Sequence, residues 1–149
     1  MKVAVAADHG GWPLKDAVLA TVRAARHEAL DLRTHSAPPV DYPDFAAAAA
    51  RAVQSGQAER AIVICGSGVG AAVAANKFRG IRAGVCHDTY SAHQAVEHDD
   101  VNVLSLGARV IGVALADELV RAFLAARFTN EERHRRRLAK VRALEESST

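Results

Sequence analysis

The residues best suited to chemistry in this sequence form one short glycine-rich segment that begins with a cysteine. Cys65 opens the run C-G-S-G-V-G, which ends at Gly70. A thiol at a strand end that faces a helix amino terminus has a more populated thiolate. Such a thiolate acts as a base or a nucleophile, whereas most free cysteines are buried core residues. The segment therefore leaves two interpretations of Cys65, a reactive thiol or a core residue.

The same loop is a candidate anion site. It lies between a predicted strand and a predicted helix, where free backbone N–H groups and the helix dipole favour negative charge. The anion is either a bound phosphate or an oxyanion that forms during a reaction. Gly66, Gly68 and Ala71 also fit the relaxed dinucleotide pattern G-x-G-x-x-A, and Asp88 follows at the spacing of a ribose-binding acid. This pattern is a weak signal because it follows the third predicted strand, and no G-K-[ST] of a P-loop accompanies it.

Polar side chains also lie next to other predicted strands. Asp8 and His9 follow the first strand, and Arg109 lies just beyond the last one. Ligands of open α/β sheets bind beyond the carboxyl ends of the strands, so we expect these residues near the glycine-rich loop. His98 and Asp99 precede the fifth strand instead. The linear sequence therefore places them at the opposite end of the sheet.

The elements that must position these side chains alternate between strand-like and helix-like segments, which is typical of βαβ units with a parallel sheet. The predicted strands are Lys2 to Ala7, Glu28 to Arg33, Ala61 to Cys65, Arg82 to Cys86 and Val101 to Leu106. The predicted helices are Leu14 to Arg26, Phe45 to Ser55, Gly70 to Phe78, Tyr90 to His98 and Val113 to Ala126. All strands except the second are nearly continuously apolar, so we expect burial on both faces. Three prolines are expected in a loop before the second helix: Pro38, Pro39 and Pro43.

Length and composition indicate one globular domain that covers residues 1–149. The chain has 149 residues, of which 50% are hydrophobic and 24% charged. Two cysteines, and no secretory pattern at Met1, favour a reducing cytoplasm. No apolar run reaches the roughly 18 residues of a membrane span. A net charge of +2 does not by itself imply a polyanionic partner.

The end of the chain is strongly basic. Its cationic residues are Arg133, Arg135, Arg136, Arg137, Lys140 and Arg142. We expect residues 130–149 to form a helical arm that leaves the sheet layer, with Asn130 to Leu144 as its helix. A charge run of this kind fits a solvated terminal helix, and the alternative is an arm that crosses onto a partner subunit. Nucleic-acid binding is disfavoured because the run is short and no aromatic platform accompanies it.

Seven segments, taken in order, resemble the ribose-5-phosphate isomerase B family, which includes galactose-6-phosphate and allose-6-phosphate isomerases. They are A-A-D-H-G-G at Ala6 to Gly11, D-Y-P at Asp41 to Pro43, C-G-S-G-V-G at Cys65 to Gly70, A-A-N-K-F-R-G-I-R-A at Ala74 to Ala83, H-D-D-V-N-V-L at His98 to Leu104, L-G-A-R-V-I-G at Leu106 to Gly112 and R-H-R-R-R at Arg133 to Arg137. The resemblance implies a Rossmann-like three-layer α/β/α sandwich with a five-stranded parallel sheet and an extended C-terminal helix. It further implies an aldose-ketose isomerase of phosphorylated sugars that acts through a cis-enediol intermediate and needs no metal or other cofactor. No H-x-x-x-H or C-x-x-C spacing appears that would suggest a metal site.

The resemblance also assigns the proton transfer. Abstraction of a proton next to a carbonyl needs a base and a preorganised site for the resulting negative charge. By resemblance Cys65 is that base. Ser67 and the backbone N–H groups of the loop receive the charge, and the loop residues concerned are Gly66, Gly68, Val69 and Gly70.

The remaining assignments concern the sugar ring, the phosphate and the assembly. A histidine matching His98 opens the furanose ring, aided by Asp8, and Tyr42 lines the pocket. Phosphate is bound by residues matching His9, Arg109, Arg133 and Arg137. In this family the site lies between two subunits, so the resemblance implies a homodimer, or two dimers paired as a tetramer. No nucleic acid or membrane partner is expected.

One residue departs from the family pattern. Pentose isomerases of the family usually carry asparagine after the ring-opening histidine, whereas Asp99 occupies that position here. A carboxylate near a developing oxyanion is repulsive unless it is protonated or faces hydroxyl groups. The leading substrate pair is ribose 5-phosphate and ribulose 5-phosphate, and a tetrose or hexose phosphate is the alternative. A non-catalytic module that binds a nucleotide or phosphate is the alternative from another class.

Overall fold

The computed structural model describes residues 1–32 and 39–148, which form a five-stranded parallel sheet covered by helices on both faces. The strands are β1 (Lys2–Ala7), β2 (Glu28–Asp31), β3 (Arg60–Cys65), β4 (Ala83–Val85) and β5 (Val103–Gly107). The helices are α1 (Trp12–Ala24), α2 (Tyr42–Gln54), α3 (Val69–Ala75), α4 (Thr89–Asp99), α5 (Val113–Ala125) and α6 (Glu132–Glu146). The order of the strands across the sheet is β2-β1-β3-β5-β4. The predicted three-layer α/β/α class is confirmed.

The two faces of the sheet carry side chains of different size, because successive residues of a strand point to opposite faces. Large aliphatic side chains lie beneath α1, α4 and α5: Val3, Val5, Ile62, Ile64, Leu104 and Leu106. Mostly small side chains lie beneath α2 and α3: Ala4, Ala6, Ala61 and Val63. Since α2 is itself rich in alanine, it packs closely on this second face. Both faces of the central strands are therefore buried, as the continuous apolar runs predict.

The direction of the chain connections changes between β1 and β3. The connection after β1 leads to β2 at one edge of the sheet, and the connection after β3 leads towards β4 at the other edge. A crevice at the carboxyl ends of two such strands is the usual ligand site of an open α/β sheet. Asp8 follows β1 and Cys65 ends β3, so both lie at this crevice.

The predicted strands and helices are all present, with ends shifted by up to three residues. The predicted end of the second strand at Arg33, and Pro38, lie outside the described residues. The expectation that Pro43 lies in a loop is wrong, because Pro43 is in the first turn of α2. Proline is tolerated there since the first turn leaves its backbone N–H groups without helical partners.

Burial on both faces is the wrong expectation for β4. This strand lies at the sheet edge, and its Val85 is 38% exposed. An apolar run alone does not tell an edge strand from a central one. The helix before it, α3, also ends earlier than predicted, because the Asn76 side chain bonds to both the backbone N–H and the carbonyl of Ala83. Across residues 1–32 and 39–148, no helix has the length and apolarity needed to cross a bilayer.

Candidate active site

The thiol of Cys65 lies at the end of β3 and receives a backbone hydrogen bond. Its side chain is nearly buried, and the N–H of Gly68 donates to Sγ over 3.1 Å. A hydrogen-bond donor aimed at sulfur stabilises negative charge there. Cys65 also lines an open cavity, so it is neither a sealed core residue nor a freely exposed thiol. The geometry favours the interpretation of Cys65 as a reactive group.

The loop after Cys65 is held in one conformation by a buried hydroxyl group. Gly68 has φ of +82°, a left-handed conformation that residues with a Cβ rarely adopt. The hydroxyl of Ser105, which is fully buried in β5, donates to the carbonyl of Gly68 over 2.6 Å. The Ser67 hydroxyl accepts a bond from the N–H of Val69 over 3.2 Å. Sequence reasoning missed Ser105, although a lone polar residue within an apolar strand is a signal that could have drawn attention to it.

Asp8 forms the adjacent turn after β1. Its carboxylate accepts a hydrogen bond from the N–H of Gly11 over 2.8 Å and is nearly buried. His9 lies beside it, and its Nδ1 accepts a hydrogen bond from the N–H of Val40 over 3.1 Å. Because a backbone N–H only donates, the neutral ring of His9 carries its proton on Nε2. The two residues thus present a carboxylate and an imidazole N–H at the carboxyl end of β1.

A cavity of about 300 Å³ lies above these turns. Its lining consists of Asp8, Tyr42, Cys65, Gly66, Ser67, Gly70, Arg109 and Val110. The Tyr42 ring packs so closely on Gly70 that an added Cβ would lie 2.8 Å from it. Arg109 extends along Gly66 and forms no ion pair with any residue that the structure describes. The cavity has the volume of a small ligand, with a thiol, a carboxylate and a guanidinium at its surface.

A second group of candidate residues lies at the other end of the sheet. His98 and Asp99 end α4, which precedes β5, while Cys65 pairs with Gly107 at the end of β5. The five residues from Val103 to Gly107 are joined by four steps and span about 13 Å along the strand. His98 and Asp99 are therefore separated from the Cys65 cavity within one chain, as the linear sequence predicts.

The surroundings of His98 come from α4 and α6. Its ring lies 4.1 Å from the ring of His134, with the two planes tilted by 30°. Its Nδ1 lies 2.8 Å from the amide nitrogen of Gln94. The guanidinium of Arg133 pairs with Glu131 over 2.9 Å. We call His98, Asp99, His134, Arg133 and Arg137 the α4–α6 cluster.

The buried member of the α4–α6 cluster is His134. Its Nδ1 lies 2.7 Å from the hydroxyl of Thr129, while its Nε2 is buried without a hydrogen-bond partner among the described residues. Burial lowers the pKa of His134 below its ordinary value of 6.5, and the nearby charges of His98 and Arg133 lower it further. The ring is therefore neutral near pH 7. In the sequence, His134 lies inside the basic segment at the end of the chain, and no pattern in that segment indicates a role for it.

The structure brings some predicted site residues together and separates others. Together at the cavity or its loop are Asp8, Tyr42, Cys65, Gly66, Ser67, Gly68, Val69, Gly70 and Arg109. Outside the cavity lining are His9, His98, Asp99, Arg133 and Arg137. The weak dinucleotide pattern loses support, because the carboxylate of Asp88 accepts the N–H of Ser91 over 2.7 Å and caps α4.

Comparison with known proteins connects this site to one family. The family model described as Ribose/Galactose Isomerase matches residues 3–141. Ribose-5-phosphate isomerase B of Escherichia coli is 42% identical over 145 residues, which cover 97% of each chain. A D-erythrulose-4-phosphate isomerase of Pectobacterium atrosepticum is 39% identical over 132 residues, 86% of this chain and 85% of that one. The solved ribose-5-phosphate isomerase B of Clostridium thermocellum has a TM-score of 0.96 and 43% identity, with both chains fully covered.

The chain therefore belongs to the ribose/galactose isomerase family, and it is a sugar phosphate isomerase of that family. The resemblance found in the seven sequence segments is confirmed. The relatives differ in the sugar phosphate that their names state.

Proposed function

We propose that this protein interconverts ribose 5-phosphate and ribulose 5-phosphate through a cis-enediol intermediate, with Cys65 as the base. The observation that carries the proposal is the Cys65 thiol, which meets the N–H of Gly68 at 3.1 Å and opens into the cavity. A general base must be able to reach its proton and to bear the appropriate charge. The relatives named ribose-5-phosphate isomerase B support the pentose.

The isomerisation moves one proton between two neighbouring carbons through a single base, and a second proton between the two oxygens that those carbons carry. The Cys65 thiolate removes the proton from the carbon next to the carbonyl, and the electron pair of that C–H bond forms the enediolate. The developing negative charge is received by the Ser67 hydroxyl and the backbone N–H groups of the loop from Gly66 to Gly70. The Cys65 thiol then returns the proton to the former carbonyl carbon. The hydroxyl proton of the neighbouring oxygen moves to the former carbonyl oxygen, which completes the exchange of aldose and ketose.

Ring opening and phosphate binding require the α4–α6 cluster, which we propose comes from a second subunit. In the furanose, the anomeric hydroxyl loses a proton and its oxygen becomes the carbonyl of the aldehyde, while the bond between the anomeric carbon and the ring oxygen breaks and the ring oxygen gains a proton. We assign His98 of the partner subunit and Asp8 to this step, with Tyr42 lining the pocket. The phosphate oxygens are bound by His9 and Arg109, and by the partner's Arg133 and Arg137, because guanidinium groups suit phosphate geometry. The working form is then at least a homodimer.

Asp99 makes a second substrate class a specific alternative. Its side chain is exposed and forms no hydrogen bond or ion pair with any described residue, so its carboxylate is available to a ligand. One relative is named for a tetrose-derived substrate, erythrulose 4-phosphate. A tetrose phosphate is shorter than a pentose phosphate and places different hydroxyl groups opposite this carboxylate. A hexose phosphate is the third candidate substrate.

The test is a turnover assay with EDTA present that compares kcat/KM for tetrose, pentose and hexose phosphates. The wild type and Asp99→Asn are measured side by side, because asparagine keeps the size of the side chain and removes its charge. We expect ribose 5-phosphate to have the highest kcat/KM in the wild type and to gain further in Asp99→Asn. A higher wild-type value for another sugar phosphate would replace the pentose assignment with that sugar.

A phosphate-binding module without catalysis is the competing class. A wild-type protein that binds sugar phosphates and turns over none of them would favour that class. We place the activity in the cytoplasm, which the sparse cysteines support, since both are free in the structure. The reaction is proposed to need no cofactor.

A further inference from the structure

We infer that Gln94 is a positioning residue that fixes the tautomer of His98, so that His98 meets the sugar as an Nε2–H donor. Gln94 precedes His98 by one turn of α4, and its Nε2 lies 2.8 Å from His98 Nδ1. Residues four apart share one face of a helix, so this contact is built into α4 itself. The inference rests on the proposed role of His98 at the substrate.

The assignment of the tautomer follows from the chemistry of the two groups. An amide nitrogen only donates hydrogen bonds, so the Nδ1 of His98 must accept. Nδ1 then carries the lone pair, and the proton of the neutral ring is on Nε2. A proton on Nδ1 would set two donors against each other. Gln94 therefore disfavours the other neutral tautomer.

Neighbouring elements keep the ring in this position. The His134 ring of α6 lies 4.1 Å from it, and burial, which lowers the pKa of His134, keeps that neighbour neutral. The guanidinium of Arg82 donates to the carbonyl oxygens of Asp99 and Asp100 at 3.2 and 2.8 Å, which fixes the end of α4. The Nε2 of His98 has no partner among the residues that the structure describes. It is thus the nitrogen that remains for a ligand.

The Nε2–H tautomer gives His98 a different role from that of Cys65. A neutral imidazole N–H polarises an oxygen by donating a hydrogen bond, and it has no lone pair on that nitrogen with which to remove a proton. Abstraction of the carbon-bound proton then belongs to Cys65 and removal of the anomeric hydroxyl proton to Asp8, while His98 donates to a ring or carbonyl oxygen of the sugar.

The experiment uses one substitution to reverse the direction of the hydrogen bond between residue 94 and the Nδ1 of His98. In Gln94→Glu, a carboxylate replaces the amide and accepts a hydrogen bond from Nδ1–H, so the proton should move from Nε2 to Nδ1. Gln57→Glu is the matched control, since Gln57 is exposed and lies outside the helices. The tautomer is read from the ring nitrogens of the full 15N-labelled protein by NMR at pH 8. The signals of His98 are assigned by their loss in His98→Asn.

We expect Nε2–H in the wild type and in Gln57→Glu, and Nδ1–H in Gln94→Glu, where kcat/KM should fall about tenfold. A wild-type ring protonated at Nδ1, or an unchanged tautomer in Gln94→Glu, would overturn the inference. So would a reversed tautomer that leaves kcat/KM unchanged. Because the NMR reading needs no turnover, failure of the proposed function is seen separately, as a wild type with the expected tautomer and no isomerase activity.

Discussion

Two buried cysteines in this protein have surroundings that give them opposite chemistry. The Sγ of Cys65 accepts the N–H of Gly68 and lines the cavity at the carboxyl end of β3. Burial raises the pKa of the Cys86 thiol to about 11, and the negative charge of Asp88 adds to the effect. Since the thiolate is the reactive form, Cys86 stays a protonated and unreactive thiol near pH 7. Residue type alone does not distinguish the two cysteines, whereas their neighbours do.

Replacement of Cys65 with alanine should abolish most turnover. We expect kcat to fall about 10²- to 10⁴-fold, the usual contribution of a general base, while the sugar phosphate still binds. Cys86→Ala is the matched control and should stay within about threefold of the wild type. Steady-state kinetics and ligand titration of both variants measure the two effects. A Cys65→Ala variant within tenfold of the wild-type kcat would remove Cys65 from the role of base.

At the scale of elements, α6 depends on a few side chains for its position. Its buried residues are His134 and Leu138, and its Glu145 accepts the N–H of Gly80 over 2.9 Å. Burial lowers the pKa of His134, so the neutral ring is the form that packs against α4. Protonation of His134 would place a charge in a buried position next to His98 and Arg133. The attachment of α6 is therefore sensitive to acid.

The free energy of unfolding should decrease as the pH is lowered, because of His134. Because the pKa of His134 is lowered on folding from its ordinary value of 6.5, the unfolded chain binds the extra proton more readily. The stabilisation is present above that ordinary value and is lost as the pH falls below it. Urea unfolding at pH 7.5 and 5.5 should show a smaller loss for His134→Gln than for the wild type. His93→Gln, at a half-exposed histidine, is the control, and equal losses in His134→Gln and the wild type would contradict the expectation.

The elements also show what the sequence can predict. Nearly continuous apolar runs identify β1, β3 and β5 because burial on both faces leaves few polar positions in those strands, of which Ser105 in β5 is one. The same pattern fails at β4, since only the strand order decides which strand lies at an edge. Ligands of open parallel sheets bind beyond the carboxyl ends of the strands. This rule predicted that Asp8 and Cys65, which follow or end two strands, lie close together. The bond between Ser105 and Gly68 spans 37 positions, and no spacing rule predicts it.

At the scale of the molecule, the candidate residues occupy both ends of one sheet. The Cys65 cavity lies at the carboxyl ends of the strands, and the α4–α6 cluster lies near the amino end of β5. The order of residues along the chain was sufficient to predict this separation. In a symmetric dimer each subunit contributes the same surface to its partner, so two complete sites arise from two incomplete ones. A shared site is our explanation of why one chain carries both groups apart.

Complementation between two inactive variants tests this shared site most directly. Cys65→Ala and His98→Asn are co-expressed with different tags, and mixed dimers are isolated through both tags. In a mixed dimer one site carries both substitutions and the other carries neither, so turnover per dimer should return to about half of the wild type. A dimer in which both differently tagged subunits carry Cys65→Ala is the control and should remain inactive. Background turnover in the isolated mixed dimer would show that Cys65 and His98 do not act together across two subunits.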